Sequence, residues 1–316
     1  MDPIRIGARG SKLSLTQAGL MQRAIAAALG ADPTQAEQVA PIVIISTTGD
    51  RVQDRRLTEL GGKAMFTKEI EDALIGGRID CAVHSMKDVP IARQPGLVLA
   101  ATTEREDARD AFLSPGFATL EDLPQGARLG TASIRRQAQA QFRRPDLNFV
   151  LVRGNVDTRV AKLEAGEVDA MILAMAGLNR LGLQGRIRHA IDPVDYPPAP
   201  GQGALAIETR EADADSVWAK ALNHLPTALA VAAERGALDA LEGSCRTAMG
   251  AYAWIEDGRL TLVVEALTAD GRGRLRRLGE VELEGDGLAA VRDLGRELGG
   301  QIRDEGGERL LMPAAS

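Results

Sequence analysis

The sequence predicts an α/β fold of two doubly wound lobes followed by a C-terminal α+β domain with a small antiparallel sheet. Three observations carry that expectation. Short apolar runs alternate with segments of helical period as far as Thr209. The 316-residue chain exceeds what one hydrophobic core usually organises. Beyond Thr227 the alternation gives way to strands followed by a helix.

Ile4 to Ala8 reads as a short strand, and Arg9-Gly10-Ser11 leads from it into a helix whose apolar face takes in Leu13, Leu20, Ala24 and Ala27. Val39 to Ser46 is a nearly continuous apolar run, expected as a strand. Phe66, Ile70, Ala73 and Leu74 recur at helical spacing up to Gly76-Gly77, where that helix should end. Ile79 to Val83 and Leu97 to Ala101 are further strands. Runs apolar on both faces and separated by helices call for a parallel sheet covered on both sides.

The charged stretch Glu104 to Asp110 is expected to cross into a second lobe that repeats the alternation. Its elements are strand Ala127 to Gly130, a helix with Ile134, Ala138 and Phe142, strand Leu147 to Val152, helix Val156 to Ala165 and strand Ala170 to Leu173. Tyr196-Pro-Pro-Ala-Pro-Gly-Gln-Gly203 reads as a return crossing, and the strand-like Ala204 to Thr209 could rejoin either sheet. Lobe 1 is thus expected over residues 1–103 and 204–221, lobe 2 over 104–203 and the last domain over 222–316. A cleft between two such lobes, where strand ends and helix N-termini converge, is the expected ligand site.

In the last domain, Leu229, Ala233, Gly236 and Ala240 form one stripe of a helix over Thr227 to Leu241. Alternating Leu260, Leu262 and Val264 begin a hairpin-like region through Leu283, and Leu288, Val291, Leu294, Leu298 and Ile302 mark a final helix. No internal repeat is evident in the sequence.

Composition narrows the function. Hydrophobic residues at 45% and charged residues at 26% describe a globule. No basic, apolar leader or bilayer-length run is present, so the cytoplasm is the expected compartment, with no membrane partner. A net charge of −6 and aromatics at 3% argue against a nucleic-acid surface. Cys81 and Cys245 lack paired spacing, and His84, His189 and His224 are scattered, so neither a disulfide framework nor a metal site is expected.

The candidate site residues lie at strand-to-helix turns. Thr131-Ala132-Ser133 precedes a helix beginning with Arg135 and Arg136, Arg153-Gly154-Asn155 is followed by Arg159, and Arg9-Gly10-Ser11 holds the same place in the first lobe. One such arginine is ordinarily a solvated side chain. Several at helix N-termini oppose the macrodipole unless an anion sits there, which points to a ligand rich in carboxylate or phosphate. His84-Ser85-Met86-Lys87-Asp88 leaves a buried strand at the ligand end, where an ionised Asp88 could stabilise a cation; a surface Lys-Asp turn is the plain alternative. His84 reads as a structural histidine. Gly61-Gly62-Lys63 is weaker support for an anion site. Cys81 falls in an apolar strand as an inert thiol, whereas Cys245 sits in a loop beside Arg246, where a thiol pKa can be depressed.

Together the segments ARGSKLSL (8–15), GGKAMFTKEI (61–70), AVHSMKDVP (82–90), TASIRRQ (131–137), LVRGNVDTR (151–159), ILAMAGLNRLG (172–182), PAPGQGALAIE (198–208) and EGSCRTAMG (242–250) resemble the porphobilinogen deaminase (hydroxymethylbilane synthase) family over nearly the whole chain. The resemblance implies lobes like those of periplasmic binding proteins and a dipyrromethane cofactor thioether-linked to Cys245 in a cofactor-tethering last domain. It implies a transferase of tetrapyrrole (porphyrin, haem) biosynthesis that condenses four porphobilinogen molecules with release of ammonia into linear hydroxymethylbilane. Asp88 matches the family's catalytic aspartate. Lys87, Ser133, Arg135, Arg136 and Arg159 would contact the cofactor, and Arg9, Ser11, Arg153 and Arg180 the substrate; Lys63, Ser85, Thr131 and Gln202 are secondary candidates. A monomer without metal or nucleotide is implied.

Three positions depart from common family patterns: Glu59, Thr48 before the Gly-Asp pair, and Ala132 within the Thr-Ser-Ser run. They bear on individual contacts more than on reaction class. The competing readings are a non-catalytic binder of a dicarboxylate or polyanion and a transcription-factor effector domain. Neither predicts a covalent adduct, and no helix-turn-helix module is apparent.

Overall fold

In the computed structural model, which describes residues 2–48, 67–241, 247–268 and 271–310, strand β1 (Ile6–Ala8) runs into helix α1 (Lys12–Ala28) through a turn closed by Ser11, whose hydroxyl accepts from the Ser14 N–H. Helix α2 (Ala36–Val39), strand β2 (Ile42–Ile44), helix α3 (Lys68–Ile75) and strands β3 (Cys81–Ser85) and β4 (Leu97–Thr102) follow. Next come β5 (Asp110–Leu113), β6 (Arg128–Gly130), α4 (Ile134–Arg143), β7 (Asn148–Val150), α5 (Val156–Glu164), β8 (Ala170–Ala174), α6 (Met175–Arg180) and β9 (His189–Ala190). The chain ends with β10 (Leu205–Arg210), α7 (Val217–Leu222), α8 (Leu225–Ala240), strands β11 (Ala248–Glu256), β12 (Arg259–Leu267) and β13 (Arg274–Glu282), and α9 (Leu288–Gly306).

These elements fall into two units, residues 1–106 with 204–228, and residues 107–203 with 229–316. In the first, five strands take the order β2-β1-β3-β10-β4. β1 is parallel to β2 and β3, and β10 is antiparallel to β3 and β4. One face buries Ile6, Ala8, Val83 and Ile207 against Ala18, Met21 and Ile25 of α1 and Trp218 of α7. The other buries Ile79 and Ala82 against Ile70 and Leu74 of α3. The two-sided cover explains why the strands read as continuous apolar runs.

The second unit repeats that topology. Its five-stranded sheet has the order β7-β6-β8-β5-β9, with β6 parallel to β7 and β8 and β5 antiparallel to β8 and β9. The repeat reaches individual residues. Asp80 before β3 accepts from Arg5 N–H (2.9 Å) and Arg5 Nε (2.8 Å), and Asp169 before β8 accepts from Arg128 N–H (2.7 Å) and Arg128 Nε (3.2 Å). Gly77 and Gly166, in the turns feeding those aspartates, both have left-handed backbone, φ 65° and 75°. The structural duplication is invisible as a sequence repeat because apolar strand residues interchange freely. This unit also holds an antiparallel sheet β11-β12-β13, against which α9 packs.

Several expectations need correction. The apolar run from Val39 is a strand only over Ile42–Ile44, because Val39 closes α2 and Pro41 follows it. The buried face of α1 is Gln17, Ala18, Met21, Ile25 and Ala26, and Leu20 is exposed; the helix is apolar on several sides, so period alone did not choose the face. Phe142 is likewise exposed, while Ala138 packs inward beside Arg135 and Gln139. Asp110, read as part of a crossing, is the buried first residue of β5. The strand β11 and the short helices α6 and α7 carried no clear period. Ala204 to Thr209, left open between two sheets, joins the first.

Candidate active site

In the first unit the turn after β1 is tied by its own hydroxyls. Arg9 N–H donates to Ser14 Oγ (3.1 Å) and Ser14 N–H to Ser11 Oγ (3.3 Å), which presents Arg9 and Ser11 at the carboxyl end of the sheet. β3 ends at the same edge. Ser85 Oγ there accepts from Nε2 of the buried Gln17 at 3.0 Å. Residues Met86–Asp88 form one 3₁₀ turn pinned by buried Met86, whose N–H donates to Ala204 O (3.0 Å). The turn leaves Lys87 half-buried and Asp88 exposed. Behind it, His84 Nε2 and Glu208 Oε2 meet at 3.0 Å, both buried, as a satisfied structural pair. Thr48 donates through its N–H and hydroxyl to Glu69 Oε1 (2.8 and 2.6 Å). Lys63, Glu59 and Cys245 lie outside the described residues.

In the second unit Ser133 caps α4, accepting from Arg136 N–H, and Thr131 Oγ1 accepts from Ser133 N–H (3.1 Å). Both hydroxyls thus shape the turn. The two arginines that follow each pair first with one of the protein's own carboxylates. Arg135 and Arg136 are 5% and 7% exposed, and both close on Asp110: Arg135 Nη1 to Oδ2 at 2.7 Å and Arg136 Nη2 to Oδ1 at 2.8 Å. Gln202, fully buried, donates to the same Oδ1 at 2.8 Å and accepts from Arg136 Nη2 at 3.3 Å. Burial alone pushes the Asp110 carboxyl up, but the paired guanidinium groups hold it well below the usual carboxylate range. Burial lowers the Arg135 pKa and Asp110 opposes it; a guanidinium stays protonated throughout.

Two guanidinium groups thus share one carboxylate, so positive charge remains. Arg135 Nε is buried without a hydrogen-bond partner among the described residues, and so is Arg153 Nη1 at the turn after β7. Buried orphan N–H donors are costly unless an acceptor arrives. Arg159 reaches back from α5 to Gly154 O (2.8 Å), holding the Arg153 loop, and Arg180 Nη2 donates to Gly203 O (2.7 Å). Among the described residues no group of three or more His, Cys, Asp and Glu side chains could hold a metal ion. Cys81 is fully buried, and burial pushes its thiol far up, away from reactivity.

Comparison with known proteins decides the family. The model "Porphobilinogen deaminase, dipyromethane cofactor binding domain" matches residues 4–217, and "Porphobilinogen deaminase, C-terminal domain" matches residues 228–304. The chain belongs to the porphobilinogen deaminase family. Curated porphobilinogen deaminases of Phenylobacterium zucineum and Caulobacter vibrioides are 62% and 61% identical to it, each over 98% of both chains. Among solved structures, substrate-binding domain 2 of Lactococcus lactis GlnP aligns at 14% identity and TM-score 0.43, covering 71% of this chain and 87% of that one.

For a porphobilinogen deaminase domain that binds a dipyrromethane, the donor set is chemically suitable. Such a group carries an acetate and a propionate on each ring, and orphaned guanidinium N–H donors are what carboxylates pair with. Sequence reasoning missed the residues that brace those donors. Asp110 was hidden at the end of a charged stretch; its signal was its place directly before the apolar run Ala111-Phe112-Leu113. Gln139 and Glu265 are buried polar residues, and no period marks such side chains as different from solvent-facing ones.

Proposed function

We propose that this chain condenses four porphobilinogen molecules into linear hydroxymethylbilane, on a dipyrromethane primer held by a thioether to Cys245. The reaction class and the primer type follow from family membership; the residue roles are the finer reading. At each addition an aminomethyl carbon–nitrogen bond breaks, ammonia leaves, and a carbon–carbon bond forms to a pyrrole α-carbon, which gives up its proton. The primer, when bound, would supply the first such α-carbon, and after four additions water cleaves the bond joining the new tetrapyrrole to it, leaving its hydroxyl on the released product and a proton on the primer's α-carbon.

The observation that carries the reading is the two buried, unpartnered guanidinium nitrogens, Arg135 Nε with one unused N–H and Arg153 Nη1 with two. Arg135 and Arg136, with Arg159, Ser133 and Lys87, hold primer carboxylates; Arg9, Ser11, Arg153 and Arg180 receive those of the incoming substrate. Asp88 stabilises positive charge developing on pyrrole nitrogen, from a turn whose backbone is fixed by Met86. Ser85, Thr131 and Gln202 support this set by orienting the turns, as their hydrogen bonds to Gln17, Ser133 and Asp110 suggest. Lys63 is a further secondary candidate of the same set.

In this reading the enzyme is a cytoplasmic monomer that takes no nucleic acid; separately, no helix among the described residues is long and apolar enough to cross a membrane. Lobe boundaries at 103/104, 203/204 and 221/222 complete the reading. Asp88→Ala tests it: the variant should fold with the parent's circular dichroism and lose most porphobilinogen consumption. Near-parent consumption would remove Asp88 from the mechanism.

A further inference from the structure

Gln139 lies one helical turn beyond Arg135 on α4, is 4% exposed, and has its amide fully engaged. Nε2 donates to Glu265 Oε1 at 2.9 Å and to Pro197 O at 3.0 Å, while Oε1 accepts from Arg135 Nη1 at 2.8 Å. Glu265, on β12, is 1% exposed and its other oxygen accepts from Arg274 Nε at 2.5 Å. A flipped amide would turn its N–H groups toward the guanidinium and its oxygen toward the carboxylate. The Glu265 carboxylate therefore dictates how the amide faces, and the amide fixes one end of Arg135, leaving Nε as the orphan donor.

The same seam fixes β11. Gly250 pairs with Glu265 across β11 and β12. A Cβ on Gly250 would lie 2.1 Å from Pro197 O, so only glycine lets the strand approach so closely. Ala251 N–H donates to Pro198 O at 2.9 Å, and Pro197 O itself accepts from Arg135 Nη1 at 3.2 Å. Strand and arginine are thus keyed to one carbonyl and one carboxylate. Cys245 precedes Gly250 by five residues.

From this we infer that Gln139 and Glu265 are positioning residues for primer assembly, holding Arg135 in register with the strand that continues from the attachment cysteine. The inference rests on Cys245 as the attachment point. The Arg135 N–H offered to a primer carboxylate keeps its place beside β11 only while α4 and β11 hold this register. The two residues touch neither primer nor substrate; they act through Arg135 and through the backbone at Pro197.

The test is conversion of apoprotein to holoprotein with porphobilinogen, followed by intact mass, with the thermal midpoint measured alongside. Gln139→Glu sets two buried carboxylates against each other and should slow conversion at least tenfold. Adding Glu265→Gln lets the residue at 265 donate to the carboxylate at 139, which still accepts from Arg135, and should bring conversion within about threefold of the parent. Should Gln139→Glu fail to fold, Gln139→Met, neutral and of similar volume, is the substitute and should convert at least fivefold slower. Conversion at the parent rate in the folded single variant, or no recovery in a folded double variant, overturns the inference. If the parent itself gains no pyrrole units on Cys245, the functional reading fails instead, and the two failures are told apart.

Discussion

Strands β3 and β8 hold the same place in their sheets and begin alike, Ile79-Asp80-Cys81 against Val168-Asp169-Ala170, yet they end in different chemistry. β3 runs out into Ser85-Met86-Lys87-Asp88, one 3₁₀ turn that leaves its acid exposed. β8 runs into Ala174-Met175-Ala176-Gly177 and helix α6, whose first four residues are buried. The neighbouring strand differs in the opposite sense. At the start of β5 sits buried Asp110, opposite Ala174, where β10 places Leu205 opposite Ser85. One unit therefore exposes a carboxylate at its strand end, and the other buries one to hold two arginines. The frame is duplicated at the edge where β3 and β8 begin and specialised at the edge where they end, the carboxyl edge of the parallel strands, where ligands bind in open α/β sheets.

The largest effect expected from breaking this contrast is on turnover. Asp88→Asn keeps the shape of the turn and removes the charge, and should cut steady-state hydroxymethylbilane formation by about 100-fold or more, the scale for losing one preorganised electrostatic group. Thermal unfolding should hardly change, since the side chain is exposed. In the second unit, stability should suffer instead. Asp110→Asn leaves two adjacent buried guanidinium groups without a counter-charge, costing about 3–5 kcal/mol by chemical denaturation. A loss under about 1 kcal/mol would show that Asp110 does not bind the pair together.

The pH dependence of that loss sharpens the point. Asp110 has a folded-state pKa held below its unfolded value by Arg135 and Arg136, so the unfolded chain binds the extra proton. Its stabilisation is fully present above the unfolded value of about 3.9 and is lost as pH falls through the depressed folded value. The stability gap between parent and Asp110→Asn should therefore be flat at neutral pH and shrink in acid; a gap that widens in acid contradicts the assignment. The smallest effects belong to the duplicated clamps. Asp80 and Asp169 pair with Arg5 and Arg128, whose side chains are 40% and 46% exposed, so Asp80→Asn and Asp169→Asn should each cost about 1 kcal/mol or less. Asp80 also pairs with Arg210, so Asp80→Asn should cost at least as much as Asp169→Asn, and a clearly larger loss for Asp169→Asn would contradict this account of the clamps.

The alternation of strands and helices was legible because burial on both sheet faces leaves long apolar runs. Helix starts at Ser11 and Ser133 were legible because capping hydroxyls carry a local mechanism. Asp88 and the arginine turns could be named from motifs. The pairing of Arg135 and Arg136 with Asp110 could not, since it joins α4 to a strand 25 residues earlier and depends on the sheet order. Gln139 and Glu265, 126 residues apart, were hidden for the same reason. The face of α1 was misread because alanines and leucines surround much of that helix, and only packing selects among them.

Cys81 and Cys245 offer the most direct test of the whole account. Cys81 is sealed inside β3, whereas Cys245 is the proposed primer attachment. Intact-mass analysis of the denatured enzyme should show the addition of two pyrrole units, and peptide mapping should place them on Cys245 in the parent and in Cys81→Ala, with the adduct absent from Cys245→Ser. An active enzyme with both thiols unmodified, or an adduct on Cys81, would contradict the account.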